Sequence, residues 1–148
     1  MRRLLASLLL AAAALSPLAA AAPQPKVRFT DVRRDTATFM GYSRTITLTA
    51  AQEAVKKAAL EAVPAPCCSD NTSYTCCCPC NLAKTIWGLS NYLIARQHAD
   101  AVETRAAVNE WVRFVNPGGY PGQTCYKGGC PKPFAKAGCG GMSEPVVF

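Results

Sequence analysis

The chain is 148 residues long, half apolar, carries a formal net charge of +7 and contains nine cysteines. A length of this order makes one ordinary domain, which can bury a core without relying on cross-links. The positive charges are scattered, with no basic run or stripe, so the pattern excludes a nucleic-acid-binding surface and no nucleic-acid partner is expected.

Residues 1–21 read as a signal peptide. Arg2 and Arg3 form a positive start, Leu4 to Leu15 an apolar run, Ser16-Pro17 a break, and Ala19-Ala20-Ala21 a small-residue cleavage site. The run is shorter than the ~20 residues a membrane-crossing helix needs. Cleavage would remove Arg2 and Arg3, leave about 127 residues with a charge near +5, and leave no stable transmembrane segment. The expected location is secreted or periplasmic, where clustered thiols tend to oxidise.

Residues 22–49 are expected as an N-terminal extended or β arm. Val27-Arg28-Phe29 and the β-branched alternation Thr45-Ile46-Thr47-Leu48-Thr49 are strand-like, and Gly41 could occupy a turn between them. Residues 50–148 then form a helical, cysteine-rich domain, with 22–148 as one globular unit. Thr49 and Gln52 fit a capping box that starts a helix ending near Val63, where Pro64 and Pro66 stop it. Ala51, Val55, Ala58, Ala59 and Ala62 share one face of that helix.

Six cysteines crowd Cys67 to Cys80: Cys67, Cys68, Cys76, Cys77, Cys78 and Cys80. Immediately after them, Leu82, Ile86, Leu89 and Leu93 follow the spacing of a buried helical stripe, widened by Trp87 and Ile94. Asp100 and Glu103 fit a second capping box. They predict a break near residues 97–99 and a further helix to about Val115 with Val108, Trp111, Val112 and Val115 inward; one bent helix is the competing reading. Asn116-Pro117-Gly118-Gly119 ends it. The Gly- and Pro-rich remainder carries Cys125, Cys130 and Cys139 and has no regular period. The expected fold class is therefore mainly α: a small bundle of about three helices, a short N-terminal β arm or hairpin, and a cysteine-rich irregular loop and tail.

Three chemistries compete for the sulfur. Cys77-Cys78-Pro79-Cys80 stands just before a helix, where the helix dipole and free N–H groups favour thiolate, so Cys77 and Cys80 could be a thiol–disulfide exchange pair. No apolar strand leads into them, which argues against a thioredoxin-like setting. Metal binding draws on the same atoms: the two-residue gap lets Cys77 and Cys80 reach one ion. Cys67, Cys68, Cys76, Cys78, Cys125, Cys130 or Cys139 could complete the site, and Met142 could add a thioether. Sulfur ligands select soft ions, Cu(I) or zinc. The third reading is a disulfide-stapled envelope or partner-binding module whose sulfur is structural. An odd number of cysteines leaves at least one thiol outside any set of intramolecular bridges.

The remaining polar residues offer no rival site. His98, the sole histidine, reads as an exposed residue at a helix junction, and no pair of carboxylates is placed for acid–base catalysis. Asn71-Thr72-Ser73 fits a glycosylation sequon that matters only in a eukaryotic host, while Trp87, Trp111 and Phe114 read as core. The reading that follows is a non-enzymatic, exported soft-metal protein, with a metal-delivery or envelope protein as the expected partner.

With those residues in view, the chain resembles a group of exported bacterial cysteine-rich proteins. The matching pieces are Pro66-Cys67-Cys68-Ser69, Cys76-Cys77-Cys78-Pro79-Cys80-Asn81, Trp87-Gly88-Leu89, Gly128-Gly129-Cys130 and Gly138-Cys139-Gly140-Gly141-Met142. It is also loosely similar to the proteins named for a Pro-Cys-Tyr-Cys-Gly-Cys motif, from which it departs by lacking that Tyr and Gly. The resemblance implies that the loop and the tail belong to one module.

Overall fold

The computed structural model describes residues 27–76, 78–120, 133–143 and 145–148, with Ser69 seen as backbone. The expected signal peptide, Cys77, Cys125 and Cys130 lie outside the described residues. The fold is mainly α. Its elements run α1 (Val32–Thr45), α2 (Ala50–Glu61), β1 (Pro64–Ala65), β2 (Cys68–Thr72), α3 (Asn81–Gln97) and α4 (Ala101–Val115), then a 3-10 turn at Phe134–Lys136.

The central element is α3. Leu82, Ile86, Leu89 and Leu93 are buried as their spacing predicts, and each contributes roughly 1.5–3 kcal/mol by leaving water. The buried set also includes Thr85, Gly88, Ser90, Asn91 and Ile94, so α3 is enclosed on almost every side. Its buried hydroxyls are satisfied locally. Thr85 donates to Leu82 O and accepts the indole N–H of Trp111 at 2.9 Å, and Ser90 donates to Ile86 O. Around Trp111 stand Phe29, Phe39 and Phe114, with Phe39 edge-on at 4.9 Å between ring centroids.

The N-terminal arm is corrected: residues 32–45 are a helix. Asp31 caps it by accepting from Arg34 N, and Asp35 reaches back to the backbone N–H groups of Thr30 and Asp31. Only Thr36, Phe39 and Met40 are buried along it, too thin an apolar stripe to announce a helix amid Thr and Gly. Packing on α3 stabilises it instead. The helices approach so closely that a Cβ at Gly88 would lie 1.8 Å from Phe39 O. The Thr45–Thr49 alternation is the joint between helices: Thr45 ends α1, Thr49 caps α2, and Asn91 donates to Ile46 O between them.

Both predicted capping boxes form, Thr49 with Gln52 and Asp100 with Glu103. Two separate helices follow the second prediction, because His98 turns into the left-handed region (φ 51°) to close α3. The buried face of α2 differs from expectation. Ala59 and Leu60, followed by Val63, enter the core, while Ala51, Ala58 and Ala62 are exposed. Leucine and valine remove more apolar surface from water than alanine, so the helix rolls to bury them.

The hairpin lies in the cysteine stretch. β1 and β2 pair antiparallel with an irregular register, Pro64 opposite Thr72 and Ala65 opposite Cys68. A sequence as polar as Cys-Ser-Asp-Asn-Thr holds strand form here because its end is pinned. Ser73 N donates to Val63 O at 2.7 Å, and the indole N–H of Trp87 donates to Ser73 O at 2.9 Å. Among the described residues no helix is long and apolar enough to cross a membrane.

Candidate functional site

The site forms where the hairpin, the start of α3 and the tail meet. Cys80 is the N-cap of α3. Its Sγ accepts from Ala83 N at 3.5 Å and its carbonyl from Lys84 N at 2.9 Å. The other two leading N–H groups are taken by the tail, Asn81 N donating to Gly141 O and Leu82 N to Cys139 O, both at 2.9 Å. A helix start leaves its first N–H groups orphaned unless something supplies acceptors, and here the tail supplies them for Asn81 and Leu82.

Asn81 fastens the tail from the helix side. Fully buried, it donates through Nδ2 to Gly140 O at 2.8 Å and Ser143 O at 3.0 Å, while Lys84 Nζ donates to Asn81 Oδ1 and Met142 O. These polar anchors were not singled out as site residues from sequence. The one available sign was a polar residue directly after the last clustered cysteine. The tail backbone turns at Gly140 and Gly141, both at positive φ, and Phe134 packs beneath Gly140. Met142 lies against the core as an apolar body.

Among the described residues, six cysteines stand at or beside this junction. Cys67 and Cys80 are buried, and with Cys76 they line a partly open pocket of about 10 Å³, close to the size needed for one water-sized occupant. Its other walls are Pro66, Ser73, Leu82, Ala83 and Ile86, so it holds no carboxylate or imidazole. Cys80 is hydrogen-bonded to Cys139 on one side and to Cys76 on the other. Cys68 lies near enough to act on the charge of Cys76, and its Sγ accepts from the side-chain amide of Asn71 at 3.3 Å. Cys78 is only half buried. It contributes its carbonyl, which accepts from Cys80 N and from Cys76 Sγ. His98 is exposed on the far end of α3.

The thiols along this row hold one another's protons: hydrogen bonding to Cys139 favours protonated Cys80, and hydrogen bonding to Cys80 favours protonated Cys76. Hydrogen bonding to Cys139, reinforced by burial, pushes the Cys80 thiol up to about 12. Bonding to Cys80 and burial hold Cys76 still more firmly protonated. A buried thiol with a raised pKa is a poor nucleophile at neutral pH, which weighs against Cys80 as an exchange catalyst. Among the described residues, no group of three or more His, Cys, Asp or Glu side chains is arranged to hold a metal ion as it stands.

The raised thiols carry a pH prediction. Their folded values exceed the ordinary value near 9, so the stability they contribute is complete below pH 9 and is lost as pH climbs toward 12. Each ionising thiol costs up to about 1.4 kcal/mol per pH unit in that window. Urea unfolding of the reduced protein should therefore show a clearly lower midpoint at pH 10.5 than at pH 8. Equal midpoints would mean that these thiols are not held protonated.

Compared with known proteins, the chain matches no family model, no curated protein and no solved structure.

Proposed function

We propose that the protein is an exported, non-enzymatic binder of a soft metal ion, Cu(I) before zinc, with Cys67, Cys76 and Cys80 as the ligand set. The observation that carries the reading is the small pocket of about 10 Å³ that those three cysteines line together. Thiolate ligands without oxygen or imidazole donors suit Cu(I) best, and the apolar walls of Leu82, Ala83 and Ile86 keep water from competing. Cys76 and Cys80 stand in a hydrogen-bonded row with Cys139, and Cys67 lines the pocket beside them. Capture of an ion requires the thiols to turn toward the pocket and lose their protons, which makes affinity rise with pH. Export of the chain and transfer of the ion to or from an envelope protein or metal-delivery partner complete the reading.

The test is titration of reduced, metal-free full-length protein with Cu(I) in competition with a coloured Cu(I) chelator. One equivalent should bind, with the ultraviolet absorption of thiolate-to-copper charge transfer. Cys80→Ala should weaken binding by roughly 100-fold or more, since one of three ligands is lost, whereas Cys78→Ala should leave it nearly unchanged. Failure of the reduced protein to compete with the chelator, or equal affinity in Cys80→Ala, rejects the proposal.

A further inference from the structure

The sulfur row extends beyond the pocket. Its last member, Cys139, lies in the tail, fifty-nine positions after Cys80. Cys139 is wholly buried and Cys80 is 2% exposed. The backbone around the pair is held by Leu82 N to Cys139 O, Asn81 N to Gly141 O, and the two Asn81 side-chain bonds. Two cysteines in side-chain contact, on backbones already tied together, need little rearrangement to become covalently joined. Cys76, the other neighbour of Cys80, sits on the half-buried loop between hairpin and helix.

We propose that Cys80 and Cys139 form a disulfide that latches the tail onto the start of α3. The reaction is a two-step exchange with a small-molecule disulfide. One cysteine thiolate attacks it, giving a mixed disulfide and one free small thiol. The second cysteine then attacks the protein sulfur of that mixed disulfide and releases the second small thiol. The two cysteines lose two electrons and two protons; the small-molecule disulfide gains both. Because both sulfurs are buried, the reaction waits on local opening of the tail, so the latch forms slowly and resists reduction once closed. A bond across this loop also restricts the unfolded chain far more than one between Cys76 and Cys80. Where the metal reading holds, closing the latch takes one ligand from the ion, so oxidation releases it.

The experiment exposes reduced, metal-free full-length protein to oxidised glutathione, then alkylates, digests and maps cross-linked peptides by mass spectrometry. The expected result is a Cys80–Cys139 cross-link and a Tm roughly 10–15 °C above that of the reduced protein. Cys139→Ala should lose both effects and Cys76→Ala should keep both. A Cys76–Cys80 cross-link in the unsubstituted protein, or Cys139 still alkylated after oxidation, overturns the latch. Copper titration of the same samples reads the metal reading separately: no Cu(I) uptake by the reduced protein rejects that reading, while the cross-link map alone decides the latch.

Discussion

Replacing Gly88 by alanine should cost about 3–5 kcal/mol, close to the whole stability of many small domains. The added Cβ would lie 1.8 Å from Phe39 O and 2.8 Å from Ser43 N, distances no real Cβ tolerates. Those contacts are backbone atoms of α1, so no side-chain rotation relieves them; the two helices must separate. Separation also opens the aromatic group, because Phe39 packs edge-on against Trp111 and beside Phe29. Chemical denaturation with circular dichroism is the measurement. A loss below about 1 kcal/mol would show that α1 is not pressed against α3 at this point. Gly41→Ala on the same helix is the control, since nothing lies within 4 Å of the Cβ it would add. It should be neutral or mildly stabilising, because alanine loses less entropy in a helix than glycine.

Asn81→Leu should cost about 3–4 kcal/mol and release the tail. The side chain is fully buried and its amide is the donor for Gly140 O and Ser143 O, while its Oδ1 accepts from Lys84 Nζ. Removing the amide leaves buried acceptors without donors, at about 1–3 kcal/mol each. Leucine keeps the volume, so the loss reports hydrogen bonding more than a cavity. Hydrogen exchange separates a local effect from a global one. Amides of the tail and of Leu82, whose N–H donates to Cys139 O, should lose protection first, and those near Leu89 should follow only the overall loss of stability. Unchanged protection along 133–143 would mean that the tail is held by its apolar contacts alone, through Phe134 and its edge-on partner Phe148.

Much of the helical core was legible in the residues themselves. The α3 stripe, both capping boxes and the break at residues 97–99 are local features, written in spacings of three and four positions and in short polar side chains beside them. The cysteine stretch was legible as a candidate site for the same reason, since its density needs no partner to be seen. What local reading could not reach was α1, whose stripe is too sparse to be told from a β arm until Gly88 brings α3 against it. Nor could it reach the roll of α2, which buries Leu60 and Val63 in place of the alanine face, or a polar strand held by Ser73 and Trp87. The sulfur row is of this second kind. The sequence places six thiols before a helix, but the end of the row at Cys139 depends on a tail returning from the far end of the chain to cap α3. Local physics, which is short-ranged in sequence, determined most of the helices and where the cysteines are concentrated. Only the tertiary structure decided which sulfurs meet, because that depends on contacts between residues distant in the chain and on the burial those contacts create.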